Sequence, residues 1–229
     1  MDKIKIEAEA HALHREIWMR RQNIWPDGLP ALESMLDPRI AARVLSFELE
    51  VRERLGGDGS RQWGAPAAGF LDRGRGLIVV SSQFDDAVQR FTAAHEAAHV
   101  VLHPWIGDKV VHRDLPLESG LASRRAAHDQ EADYFAACYL MPRRLVEKEF
   151  GFRFGSRTPL PLTETVAFHL RVRDDRALFS APRGSLLFAR LVASAQSFDT
   201  KRFDSLADHF RVSPAAMAIR LKELQLVCE

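Results

Sequence analysis

The chain has 229 residues, of which 46% are hydrophobic and 28% are charged, and its formal net charge is +1. This composition is that of an ordinary globular protein, long enough for one large domain or for a main domain with a small appendage. The balanced charge gives no general reason to expect a nucleic-acid or membrane-surface partner, and the longest apolar runs are too short to cross a bilayer. Two cysteines make no disulfide framework and the N-terminus lacks an apolar signal core, so a cytoplasmic location is expected.

The first third of the chain predicts helices followed by strands. Apolar residues at helical spacing predict a helix over 1–22, and a second, short helix is expected over 31–45 with its main turn starting at Asp37. Alternation in FELEVRERL predicts a strand over 47–55. Residues 69–82 predict two strands joined by a hairpin at D-R-G-R-G.

The middle of the chain predicts two long helices. Residues 84–103 form the first, with Asp85 and Asp86 near its N-terminus, where carboxylates complement the helix dipole. Less regular sequence follows, and the second helix is expected over roughly 120–150, interrupted by the Met-Pro pair at 141–142.

The last third predicts a helical region. A Gly- and Pro-rich connection is expected over 151–162, followed by helical patterns at 163–172 and 185–196. Residues 205–227 have the pattern of a helix-turn-helix, with Ser213 as the N-cap of its second helix.

The first long helix carries a motif with the spacing of a metal site. FTAAHEAAHVVLH contains His95, Glu96 and His99 in the order H-E-x-x-H. Histidines four residues apart lie about 40° apart around a helix, so both imidazoles can bind one metal ion. Glu96 points about 100° from His95, where it can reach a water molecule on that ion without binding the ion. Because an alanine-rich helix can carry histidines by chance, the motif needs a third ligand.

The third ligand is expected on the second long helix. His103 is interpreted as a helix-end histidine that packs near the site and is not a ligand. HDQEADYFAACYLMP contains three carboxylates, of which Asp129 and Asp133 share a helix face while Glu131 points about 160° away. This geometry favours Asp129 as the ligand and Asp133 as the hydrogen-bond partner of a ligand histidine, with Glu131 as the alternative ligand.

These two blocks resemble the ImmA/IrrE-type metallopeptidases, which pair R-F-T-x-A-H-E-x-x-H-x-x-L-H with a helix that ends F-A-A-x-x-L-M-P. The chain has RFTAAHEAAHVVLH at 90–103 and ADYFAACYLMP at 132–142, and the resemblance is closest over 65–145. In that family the third ligand is usually the Glu of E-x-x-A-D/N. The matching residue here is Asp129, whose side chain is one methylene shorter.

The resemblance implies an α+β, zincin-like fold, in which a small twisted β-sheet packs on the motif helix. The metallopeptidase domain is expected over 1–150, including the N-terminal helices. A helical C-terminal region is expected over 151–229, and it contains the helix-turn-helix-like segment.

The resemblance also implies the chemistry of a zinc endopeptidase. Zn²⁺ is the expected metal and Glu96 the expected general base. His128, beside the proposed carboxylate ligand, is the candidate for stabilising the oxyanion. The expected substrate is a protein, in this family typically a helix-turn-helix transcriptional repressor of a stress-response, prophage or mobile-element system.

Two non-enzymatic functions stay open. The chain could be a non-catalytic regulator that binds DNA, or a toxin–antitoxin-type partner-binding module that keeps the fold. Residues 201–229 carry five Lys/Arg against four Asp/Glu, so they support DNA binding only weakly. The intact Glu96 favours the enzyme, because a vestigial site has no chemical reason to keep the base.

Overall fold

The chain divides into two compact units, Met1–Leu140 and Met141–Glu229. The computed structural model describes residues 1–53, 55, 68–106, 111–113, 126–155, 159–172 and 174–228. The division falls ten residues before the domain boundary expected from the sequence, at the Met-Pro pair that separates two helices.

The first unit starts with four helices. These are α1 (Lys3–Met19), α2 (Arg21–Ile24), α3 (Leu32–Met35) and α4 (Pro38–Val44). The buried residues of α1 recur at helical spacing: Ile6, Ala10, Leu13 and Ile17. The helix expected over 31–45 is two short helices, because Asp37 has extended backbone and its carboxylate caps α4 by accepting from the Arg39 backbone N–H at 2.9 Å.

A small mixed sheet follows. Its strands are β1 (Glu48–Arg52), β2 (Gly69–Asp72), β3 (Leu77–Ser81) and β4 (Val111–Arg113), in the order β1-β3-β2-β4. The predicted hairpin is confirmed, since β2 and β3 pair antiparallel with Asp72 opposite Leu77. The strand expected over 47–55 is β1, and it pairs parallel with β3. All five residues of β3 are buried, as befits a central strand with a helix on one face.

The two long helices complete this unit. They are α5 (Asp86–Leu102) and α6 (Ala127–Leu140), and α5 packs against α6, β2 and β3. Small side chains on α5 permit this close approach: Ala93, Ala94, Ala97 and Ala98 are all at most 2% exposed. The predicted α+β fold, with a small sheet on the motif helix, is confirmed. Residues 120–125 of the second predicted helix lie outside the described residues.

The second unit is mainly helical. Its helices are α7 (Arg143–Phe154), α8 (Glu164–His169), α9 (Asp175–Phe179), α10 (Leu187–Ser194), α11 (Leu206–Phe210) and α12 (Pro214–Glu223). Two short strand pairs join them, β5 (Leu160–Pro161) with β8 (Val227–Cys228), and β6 (Ser197–Phe198) with β7 (Lys201–Arg202). The connection expected from residue 151 starts only at Gly155, which ends α7 in the left-handed conformation at φ 69°.

The helix-turn-helix-like segment contains two consecutive helices, α11 and α12. Ser213 caps α12 and Pro214 is its first residue, as expected, with the Ser213 hydroxyl accepting from the Ala216 backbone N–H at 3.2 Å. A DNA-binding role of this pair stays a prediction.

Candidate metal centre

The motif lies in the C-terminal half of α5, which the sequence stabilises at both ends. At the start, the Asp85 carboxylate accepts a hydrogen bond from the Val88 backbone N–H at 2.8 Å, as the placement of the acidic pair predicted. At the other end, the Arg73 guanidinium from the β2–β3 turn donates to the carbonyl oxygens of His99 and His103, the latter at 3.0 Å. A cation at a helix C-terminus also complements the helix dipole. These contacts fix the end of the helix that contains the motif histidines.

Three donor groups converge in the first unit. The Nε2 atoms of His95 and His99 lie 3.1 Å apart, and Asp129 Oδ1 from α6 lies 3.5 Å from His99 Nε2. One ligand atom from each of the three residues falls within 4.8 Å of the other two. At a tetrahedral zinc site with metal–nitrogen bonds of about 2.0–2.1 Å, neighbouring ligand atoms are about 3.3 Å apart. The donor set therefore fits one zinc-sized ion, and three protein ligands would leave the fourth tetrahedral position to a non-protein ligand.

Each histidine of this group has a partner on its other ring nitrogen. His95 Nδ1 lies 2.9 Å from Asp133 Oδ1. His99 Nδ1 lies 3.0 Å from His103 Nδ1, and His103 Nε2 lies 3.2 Å from Glu131 Oε2. Partners of this kind orient metal-binding imidazoles in proteins. The structure thus puts Asp133 where the helix-face argument expected it, and it puts Glu131 on His103, away from the donor group.

The two remaining predicted site residues lie next to the donor group. Glu96 is fully buried on α5, in the turn that also carries the two motif histidines. His128 is half-exposed, its Nε2 lies 3.4 Å from Asp129 Oδ1, and its ring centroid is 5.8 Å from that of His99. The part of His128 in stabilising an oxyanion stays a prediction.

The electrostatic environment keeps the Asp129 carboxylate ionised. Burial by itself raises its pKa, but in the metal-free protein the hydrogen bond with His99 and the charges of His95 and His128 more than offset this effect, so the pKa of Asp129 lies below its ordinary value. An ionised carboxylate beside two imidazoles is the protonation state that a metal ligand requires.

Sequence reasoning missed three residues around this centre. The sequence predicts only a turn at Arg73, and it offers Glu131 only as an alternative metal ligand. His103 was assigned a packing role, yet it is fully buried and hydrogen-bonded to His99 and Glu131. Burial lowers the pKa of His103, although the hydrogen bond with Glu131 opposes this shift. The available signal was the spacing, since His99 and His103 are four apart, as are His95 and His99.

One of the comparisons with known proteins identifies a family over the segment that carries the donor group. Residues 57–159 match the family model described as the IrrE N-terminal-like domain, which is a peptidase family. This segment contains α5 and α6 and therefore all three donor residues. No curated protein matches the chain. Among the helices within the described parts of the chain, none is long and apolar enough to cross a membrane.

Proposed function

We propose that the chain, whose residues 57–159 match the IrrE N-terminal-like peptidase family model, is a zinc-dependent endopeptidase. The observation that carries the proposal is the convergence of His95, His99 and Asp129, whose donor atoms lie close enough together to bind one zinc ion. Two imidazoles and one carboxylate are also the donor set of catalytic zinc sites that keep a fourth position open.

A few side chains have separate roles in the proposed reaction. His95, His99 and Asp129 would hold the zinc ion, which would act as a Lewis acid towards a bound water and the scissile carbonyl. Glu96 accepts the proton of the attacking water on its carboxylate and delivers it to the departing amine. Asp133 holds His95 in the tautomer with its proton on Nδ1, which leaves the Nε2 lone pair directed at the centre. We assign to His128 the role of donating a hydrogen bond to the developing oxyanion.

The proposed substrate is a protein, and more narrowly a helix-turn-helix transcriptional repressor. The match of residues 57–159 to a peptidase family supports the first statement. The second rests on the resemblance of the motif blocks to the ImmA/IrrE-type enzymes. Binding to a partner without turnover is the alternative that the following test separates from catalysis.

Metal content and cleavage together test the proposed function. Elemental analysis of the purified full chain should find about one zinc per chain, lost in Asp129→Ala and kept in Glu131→Ala at saturating zinc. The zinc-loaded chain is then incubated with a peptide mixture prepared from a cell lysate, and new N-termini are identified by mass spectrometry.

We expect cleavages that disappear with a chelator and in Glu96→Gln, which should retain zinc and fold normally. The sequences around the cleaved bonds would then direct the search for the repressor. A wild-type protein that carries zinc but produces no new N-termini would favour the partner-binding module, and one that binds no zinc would overturn the proposal.

A further inference from the structure

We propose that His103 and Glu131 form a positioning pair that holds His99 in the tautomer and ring orientation needed to bind the metal ion. The inference rests on the proposed function, because it requires a metal at the centre. It assigns a role to two residues that the mechanism above does not use.

The proton positions along this chain of groups follow from the contacts. His99 Nε2 faces His95 Nε2 and Asp129, so it must present a lone pair to bind a metal, and its proton must be on Nδ1. That N–H then donates to His103 Nδ1 at 3.0 Å, because two ring nitrogens in contact can share only one proton. The proton of neutral His103 is therefore on Nε2, which donates to Glu131 Oε2 at 3.2 Å.

Burial strengthens the hydrogen bonds that His99 and His103 make. The side chains of His99 and His103 are both fully buried, so water does not compete for their ring nitrogens. The chain ends on the Glu131 carboxylate, which is about 30% exposed and so stays solvated. The two metal-binding histidines are thus oriented in different ways, His95 by a carboxylate directly and His99 by a carboxylate through a second imidazole.

The backbone of residue 103 makes two hydrogen bonds that do not depend on the side chain at this position. Its N–H donates to the His99 carbonyl at 3.2 Å, and its carbonyl accepts from Arg73. Replacing the imidazole leaves both backbone contacts intact and removes the ring's hydrogen bonds with His99 and Glu131, together with its ring contacts with Trp105 and His128. Substitutions at this position therefore address the positioning role and not the end of the helix.

The test measures zinc affinity of the full chain by competition with a chromophoric chelator. His103→Leu should bind zinc about 10- to 100-fold more weakly, the usual effect of losing a residue that orients a metal ligand. His103→Asn should recover most of the affinity, because its amide oxygen lies close to the position of Nδ1 and can accept from His99. Glu131→Ala should weaken binding, and Glu131→Gln should do so less, since its amide oxygen still accepts.

His14→Leu is the matched control. His14 is another largely buried histidine of the first unit, with its Nε2 2.9 Å from the Tyr139 carbonyl oxygen and no contact with the donor group among the described residues. This variant should lose stability and keep its zinc affinity. If it loses zinc as strongly as His103→Leu does, the effect reflects general destabilisation and the inference fails.

A second readout needs no substitution. Long-range ¹H–¹⁵N NMR of the imidazole nitrogens in the zinc-loaded wild type should show His103 protonated on Nε2 and His99 protonated on Nδ1. Protonation of His103 on Nδ1, or unchanged zinc affinity in His103→Leu, would overturn the inference and leave the proposed function standing. A wild type that binds no zinc would overturn both.

Discussion

Asp129 occupies the position at which the ImmA/IrrE-type metallopeptidases usually have a glutamate. Its shorter side chain still brings Oδ1 close to the two motif histidines. Its Oδ1 lies 3.5 Å from His99 Nε2, close to the separation of about 3.3 Å expected between two ligands of tetrahedral zinc. The two helices are close enough for an aspartate because α5 presents mainly alanines and histidines towards its neighbours.

We therefore expect Asp129→Glu to bind zinc more weakly, although it restores the family's usual residue. The additional methylene moves the carboxylate past the position of Asp129 Oδ1, so the glutamate must adopt a strained rotamer to bind the ion. A strain of about 1 kcal/mol corresponds to roughly fivefold to tenfold lower zinc affinity. Chelator competition measures the change, with Asp129→Asn as the variant that keeps the length and loses the charge. Tighter binding by Asp129→Glu would show that the centre is too wide for aspartate.

At the residue scale, the sequence predicts the arrangements that helix geometry alone decides. The spacing of His95 and His99, and the shared face of Asp129 and Asp133, follow from the 100° step between residues. The ring-to-ring contact of His99 with His103 was not predictable, because it depends on side-chain rotamers and on which residue of α6 faces them.

At the scale of elements, the approach of β2 to α5 depends on Gly69. A Cβ atom at this position would lie 2.5 Å from Thr92 Cγ2 on α5 and 2.8 Å from the Val79 carbonyl oxygen on β3. Both distances are too short for carbon contacts, and one of the atoms belongs to the backbone. The sheet and the motif helix can adopt their spacing only because this residue has no side chain.

Gly69→Ala should therefore reduce the free energy of unfolding by about 1–3 kcal/mol. Gly74→Ala in the adjoining turn is the control, because the nearest atom to a Cβ there is 3.6 Å away, and we expect a change within about 0.5 kcal/mol. Urea denaturation followed by circular dichroism measures both. Equal midpoints for the two variants would contradict the close-packing explanation.

His14 links α1 to the end of α6 and makes this contact sensitive to acid. Its ring stacks on Tyr139 at a centroid distance of 4.9 Å, and its Nε2–H donates to the Tyr139 carbonyl oxygen. Burial lowers the pKa of His14 from 6.5 to about 4, with the nearby His11 adding to the shift. The unfolded chain thus binds a proton below pH 6.5 that the folded chain does not bind until about pH 4.

The contribution of His14 to the free energy of unfolding is therefore fully present above pH 6.5 and is lost as the pH falls from 6.5 towards 4. For metal-free protein we expect the unfolding free energy of wild type to drop between pH 7 and pH 4 by on the order of 3 kcal/mol more than that of His14→Gln. The glutamine keeps a donor for the Tyr139 carbonyl but does not titrate. Parallel pH profiles of the two proteins would refute the assignment.

At the scale of the whole molecule, the donor residues all lie in the first unit and none of them in the second. A ligand that binds only the folded state stabilises it by about 4 kcal/mol at a thousandfold excess over its dissociation constant. Since the ligands come from α5 and α6, the stabilisation should be concentrated in these two helices.

Hydrogen exchange with and without zinc tests this expectation. Amides of α5 and α6 should exchange more slowly in the zinc-loaded protein, with peptides from α10 and α12 as internal references. If zinc slows amide exchange most in α10 and α12, the ion binds elsewhere. If it slows exchange equally in all four helices, zinc only raises the stability against global unfolding.

The class of the fold was predictable from hydrophobic periodicity, but the order of its strands was not. Alternation identifies β1 as a strand and turn residues identify the β2–β3 hairpin, because both signals are local. The parallel pairing of β1 with β3 joins segments about 25 residues apart, and no local pattern specifies such a partner. The two-residue strands of the second unit were missed for the same reason, since they are too short to show a period.

The separation of His99 and Asp129 along the chain has one further consequence. About 30 residues lie between them, so an ion bound to both closes a covalently continuous loop of that length. By the chain-entropy relation for cross-links, such a closure corresponds to about 3–4 kcal/mol if the tie also persists in the unfolded chain. The ion would then act as a removable cross-link between α5 and α6, so a shortage of zinc would lower the stability of the folded chain.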